Sequence, residues 1–136
     1  MKEQIISYKT AELAKRKEFD EECRFYYTLP SKTLHDNAED LDAGEIDDYF
    51  NRCPSKYSAP TQALLQKWLR KKHNLIIEIE ALWGNIEKTK ISFACWILYT
   101  KEEESRNPKD EAPSYYKTYE KALEKGLQEA LTLVLI

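Results

Sequence analysis

Soft metal ligands are scarce in this chain, and long apolar runs are absent. The three cysteines, Cys23, Cys53 and Cys95, are an odd number at wide spacing, and His35 and His73 are the only histidines. With no CxxC pair, neither a disulfide framework nor a zinc site is expected, and no cofactor is implied. No stretch approaches the roughly 20 apolar residues of a membrane span. The opening MKEQIISYK also lacks the apolar core and small-residue cleavage site of a signal peptide, so a cytoplasmic protein with no membrane partner is expected. Phosphate loops, nucleophile elbows and paired-acid motifs are missing as well. These absences weigh against an enzyme.

What remains is ample for a core. The 136 residues, 42% of them apolar, have the size of one domain, and residues 1–136 are expected to fold as such. The net charge of −3 implies neither a nucleic-acid binder nor a polyacidic tail, but the charge is unevenly spread. Residues 31–57 carry seven acids against three bases, and residues 58–90 carry six bases against three acids.

The clearest local signal is YSAPTQALLQKWLRKKHN, residues 57–74. Pro60 suits a first helical turn, where its missing N–H breaks no intrahelical bond, and Ser58 is placed to cap; a helix from about residue 59 follows. Leu64, Leu65, Trp68 and Leu69 share one face, while Gln62, Gln66, Lys67, Arg70 and Lys71 lie largely on the other. Arg70, Lys71 and Lys72 in the last turn offset the negative end of the helix dipole. The functional alternative is a phosphate-binding patch formed by Lys67, Arg70, Lys71 and Lys72, extended by Lys88 and Lys90.

Before that helix, YKTAELAKRK reads as a first helix capped by Ser7, with Ile6 set to staple against Ala11. A helix-turn-helix would require a recognition helix next. The chain instead continues through the aromatic, strand-like Arg24–Leu29 to a proline. Residues 30–57 are expected to be an acidic, variable loop region with at most a helical turn near 45–51. Asp40, Asp42, Gly44 and Glu45 suggest a calcium loop, but counting from Asp40 puts Gly44 fifth and Asn51 twelfth, which is the wrong spacing. The two readings left are a solvated loop and a docking surface made by Asp36, Glu39, Asp40, Asp42, Glu45, Asp47 and Asp48, with Phe25, Tyr26 and Tyr27 as further contact candidates.

After the central helix, LIIEIEALW (75–83) alternates and predicts a half-exposed strand, and ISFACWILY (91–99), apolar on both faces, predicts a central one. Residues 101–114 read as a mobile charged loop. A last helix follows, capped by Thr118, with a leucine row at 123, 127, 131 and 135 and with Gly126 where the backbone must approach a neighbour closely. The expected fold is α+β, a small antiparallel sheet of about three strands packed against two to three helices.

Three segments, EQIISYKTAELAKRKEFD, YSAPTQALLQKWLRKKHN and YKTYEKALEKGLQEAL, together resemble a family of small uncharacterised proteins of Bacteroidetes genomes and their phages or prophages. Glu18 stands where that family usually has glycine, weakening the expected glycine stop of the first helix. Lys121 replaces a usual glutamate and removes the reciprocal capping box. The resemblance implies a mobile-element origin but transfers no activity or site residue. The expected function is a non-enzymatic accessory protein that binds a host or phage protein, inhibition of host defence being one concrete form. Nucleic-acid binding by the basic section is the alternative, and an enzyme using His35 or His73 is the third reading.

Overall fold

The structure, a computed structural model, describes residues 3–39, 46–83, 91–99 and 114–135. Among them are three helices, α1 (Tyr8–Arg16), α2 (Gln62–His73) and α3 (Tyr119–Leu133). Six strands accompany them: β1 (Phe25–Thr28), β2 (Thr33–Asp36), β3 (Lys56–Ser58), β4 (Leu75–Trp83), β5 (Ile91–Tyr99) and β6 (Tyr115–Tyr116). The fold class is α+β. The strands form two antiparallel three-stranded sheets, ordered β2-β1-β3 and β4-β5-β6, where sequence patterning suggested one. The chain divides into two compact units, Met1–Leu64 with Leu135–Ile136, and Leu65–Val134. Residues 84–90, between the two long strands, and all but the last residue of the charged loop 101–114 lie outside the described residues.

In the first unit, Ser7 caps α1 as expected, its Oγ accepting the Thr10 N–H at 3.3 Å, and Ile6, Ala11 and Ala14 are fully buried. The helix stops sharply without glycine. Glu18 adopts φ 65°, the Phe19 N–H reaches the Ala14 carbonyl at 3.0 Å, and the Glu18 N–H reaches the Lys15 carbonyl at 3.1 Å. This is the Schellman arrangement, completed by the burial of Phe19. The expected weakening of the stop is therefore corrected: Glu18 takes the left-handed conformation at a cost of about 1–2 kcal/mol.

The irregular region expected at 30–57 is also corrected, because it supplies both edge strands of the first sheet. Tyr26 of β1 pairs with His35 of β2 and with Ser58 of β3. Two short polar segments become strands because β1 offers them a ladder, and their own propensity has little say. Alternation along the strands puts Phe25, Tyr27, Leu34, Asp36 and Tyr57 on one face and Tyr26, His35 and Lys56 on the other. Tyr8 of α1 packs against Tyr27 and Tyr57 at centroid distances of 5.6 and 5.4 Å, so the helix covers part of the first face.

Side chains stitch this unit through backbone groups far away in sequence. Lys15 Nζ donates to the carbonyls of Cys53 and Lys56, both at 2.8 Å, and the burial that accompanies this lowers its pKa. Tyr27 Oη donates to the Ile6 carbonyl at 2.8 Å. Asn51, in a 3-10 turn spanning Phe50–Arg52, makes a two-way clasp with Ser58. Its N–H donates to Ser58 Oγ at 3.1 Å, its Oδ1 accepts the Ser58 N–H at 2.8 Å, and its Nδ2 donates to the Phe19 carbonyl at 2.8 Å.

That clasp is why Ser58 does not cap α2. Thr61 does, with Oγ1 accepting the Leu64 N–H at 3.1 Å, so the helix starts at Gln62, three residues after the expected start. Leu65, Trp68 and Leu69 are buried as the apolar face requires; Gln62, expected on the wet face, is buried too. Asn74, with φ 57°, turns the chain out of the helix and into β4.

Strands β4 and β5 begin and end where the sequence pattern predicts, and β5 is the central strand of its sheet. Thr118 caps α3 through the Lys121 N–H at 3.2 Å, a bond that uses only the backbone of position 121. Leu123, Leu127 and Leu131 are buried; Leu135, beyond the helix end, is exposed. A Cβ added to Gly126 would stand 2.7 Å from Ile77 Cγ2 and 3.4 Å from Cys95 Cβ, so the α3 backbone rests on the sheet at that point. Cys95 is a buried core residue, and burial pushes its thiol up to about 11.

Candidate functional site

Backbone pairings outside the main ladders bring distant parts of the first unit to a common opening. The Ile5–Thr61 bridge, with the Gln62 N–H on the Gln4 carbonyl at 2.8 Å, lays residues 3–5 beside Pro60–Leu64. The Cys23–Asp48 bridge exchanges two bonds, 2.9 and 3.0 Å, and sets Asp47 beside Glu22–Arg24. At the end of β2, Asn37 donates its N–H to the Arg24 carbonyl and its Nδ2 to the Ile46 carbonyl, both at 2.9 Å, which fixes the turn carrying Glu39.

Between these segments lies an open groove of about 780 Å³. Its apolar lining comes from Ile5, Phe25, Leu34, Ala59, Pro60 and Leu64, and Cys23 borders it. Five carboxylates line it as well, from Glu3, Glu22, Asp36, Glu39 and Asp47, against the single cation Arg24. Leu34 is 43% exposed, an apolar side chain facing solvent amid charge.

Arg24 grips Asp36 with two bonds, Nε to Oδ1 at 2.8 Å and Nη2 to Oδ2 at 2.9 Å, a geometry that strengthens a charge-assisted pair. The guanidinium hydrogen bonds hold the Asp36 carboxyl below its ordinary range, helped by the Ala38 N–H. In return Asp36 raises Arg24, and the fields of Asp47 and Glu39 add to that. Their negative potential thus converges on the guanidinium. With Asp36 so engaged, Glu3, Glu22, Glu39 and Asp47 are exposed and, among the described residues, form no ion pair.

Of the acids singled out in the sequence, Asp36, Glu39 and Asp47 line the groove. Asp48 does not; its backbone holds Cys23 and its Oδ1 accepts the Tyr49 N–H at 2.8 Å. Asp40, Asp42 and Glu45 lie outside the described residues. Among the aromatic candidates, Phe25 lines the groove, Tyr27 is engaged with Tyr8 and Ile6, and Tyr26 faces away, stacked on His35 and packed on Phe50. Glu3, Glu22 and Arg24 were not anticipated. The acidic pair Glu21-Glu22 ahead of an aromatic strand was a usable signal for one of them, whereas Glu3 had none.

No family model, curated protein or solved structure matches this chain. Lys67, Arg70, Lys71 and Lys72 are all exposed on α2 and, among the described residues, free of ion pairs; Lys88 and Lys90 lie outside the described residues. Neither histidine lines the groove. His35 sits 3.1 Å from Thr28 Oγ1, and His73 packs edge-on to Trp68, where burial and then Lys72 lower its pKa. The charged form favoured by the helix end is thus disfavoured by its surroundings. Cys23 is buried and its thiol is pushed up to about 12 by burial, far from a nucleophile's range. Cys53 is shifted down, chiefly by its contact with Ser55 at 3.3 Å. No group of three or more His, Cys, Asp or Glu side chains among the described residues is arranged to hold a metal ion. No helix among them is long and apolar enough to cross a membrane.

Proposed function

We propose that this protein is a non-enzymatic binding module that engages a partner protein through the acidic groove of its first unit. The supporting observation is the combination in one opening of an apolar lining, including Phe25 and Leu34, with four carboxylates that form no ion pair among the described residues. Apolar surface ringed by an excess of negative charge suits an interface whose core is desolvated and whose rim steers a cationic partner. The location of both histidines outside the groove favours binding over acid-base chemistry there. In the mobile-element setting that the resemblance implies, the partner is a host or phage protein with a basic surface, and interference with a defence protein is one concrete form.

The test compares tagged wild-type protein with the variant Glu22→Lys/Glu39→Lys/Asp47→Lys in capture from host lysate at physiological salt, read by quantitative mass spectrometry. A partner with a basic surface should be retained by the wild type and lost by the variant; equal recovery by both removes the groove from the reading. A second reading, nucleic-acid binding, rests on Lys67, Arg70, Lys71 and Lys72, which are exposed and form no ion pair among the described residues. It requires affinity for a mixed-sequence duplex that falls steeply with salt and is weakened by charge reversal at these four positions, and a flat titration eliminates it.

A further inference from the structure

Building on the groove as the binding surface, we infer that its occupant is a short basic peptide segment in which an apolar side chain is flanked by arginine or lysine. The chemistry of the lining decides between the candidates. A purely cationic ligand such as a polyamine would satisfy Glu3, Glu22, Glu39 and Asp47 but leave Phe25, Leu34 and Leu64 against water. A purely apolar ligand would bury those side chains while desolvating carboxylates that it cannot pair, and burying an unpaired charge is strongly unfavourable. Only a segment carrying both features meets both parts of the wall. The volume of about 780 Å³ falls in the range of about 300–1,000 Å³ typical of small-ligand sites, which suits a few residues and not a whole domain face.

Arg24 supports the same assignment from within the protein. Its guanidinium already sits in the field of Asp36, Asp47 and Glu39, with its carbon 5.4 Å from the Phe25 ring centroid, an internal example of a cation held by carboxylates over an apolar surface. An incoming arginine would find the remaining carboxylates in the same surroundings.

The experiment is fluorescence anisotropy with a labelled, acetylated peptide of alternating arginine and leucine. It is set against a peptide of equal charge with glycine for leucine, a glutamate-for-arginine counterpart, and spermine as competitor. The 136-residue chain should bind the arginine–leucine peptide at least about tenfold more tightly than the glycine peptide, the worth of roughly one buried leucine. Binding should weaken as salt rises from about 50 to about 300 mM, because exposed charges are screened over that range. Glu22→Lys/Glu39→Lys/Asp47→Lys should weaken it about tenfold or more. Leu34→Ser, an exposed position whose change leaves the charge intact, should abolish the preference over the glycine peptide. Equal affinity for the two basic peptides, displacement by spermine at matched charge, or unchanged binding by the triple variant would each overturn the proposal. If the peptide fails but the lysate partner is still lost with the triple variant, the segment assignment is wrong and the groove reading survives; if both fail, both are wrong.

Discussion

Gly126→Ala probes the close approach of α3 to its sheet. In an exposed helix the change would stabilise by about 1 kcal/mol, because alanine loses less backbone freedom on folding. Here the new methyl would meet Ile77 Cγ2 at 2.7 Å, a separation real Cβ atoms essentially never show. Ile77 is buried and β-branched, so the clashing atom cannot swing aside as the end of a long side chain would. Cys95 Cβ at 3.4 Å and Sγ at 3.5 Å close another direction. Relief has to come from moving α3 off the sheet, and overpacking of this kind costs typically about 1–3 kcal/mol, enough to outweigh the gain in propensity. A net loss of about 1–2 kcal/mol is expected. Urea unfolding followed by tryptophan fluorescence is the assay, since Trp68, Trp83 and Trp96 all belong to the unit Leu65–Val134 and report on it selectively. Ile77→Ala alone should cost about 2–5 kcal/mol as a buried truncation, but clearly less when Gly126→Ala is present, because the methyl then occupies vacated space. If Gly126→Ala raises stability, or if the two changes simply add, the close approach is wrong.

Two further outcomes follow from the first unit. Glu18→Gly should stabilise by about 1 kcal/mol, since Glu18 holds φ 65° and glycine removes the left-handed strain at some entropic expense; Glu18→Ala should give no such gain, and calorimetry on both variants decides it. The Arg24–Asp36 pair predicts a pH dependence: the Asp36 carboxyl is held below its ordinary value, so its contribution is fully present above the unfolded carboxylate pKa of about 3.9 and is lost as pH falls through the lower folded value. Asp36→Asn should remove that part of the acid profile in tyrosine-detected unfolding below about pH 4, and an unchanged profile refutes the pairing.

The legible parts of this fold were those whose signal is local. The alternation of LIIEIEALW and the two-sided apolar run of ISFACWILY placed β4 and β5 to the residue, and Ser7 and Thr118 marked the helices they cap. Thr33–Asp36 and Lys56–Ser58 escaped because TLHD and KYS are too short and too polar to announce a strand; pairing with β1 makes them strands. Ser58 misled for a related reason. Its position before Pro60 fits a helix cap, but its hydroxyl is used by Asn51, a partner no local window shows. The groove was half visible. Composition pointed to the acids, and three of the seven do line it, while Glu3, Arg24 and the apolar lining come together through the β1–β2 ladder and the Ile5–Thr61 and Cys23–Asp48 bridges.

The stitching of the first unit bears on how sequence drift will be tolerated. Where Lys15, Tyr27 and Asn51 hold distant carbonyls, a replacement must reproduce a donor at a set length, and even a neighbour in chemistry fails. Aspartate at position 51, for example, would present an oxygen to the Phe19 carbonyl where the amide now donates. Around α3, where leucines and alanines fill space against β4 and β5, one aliphatic side chain substitutes for another at modest loss. The two halves should therefore diverge by different rules, the first by rare, specific exchanges of polar residues and the second by frequent interchange of apolar ones.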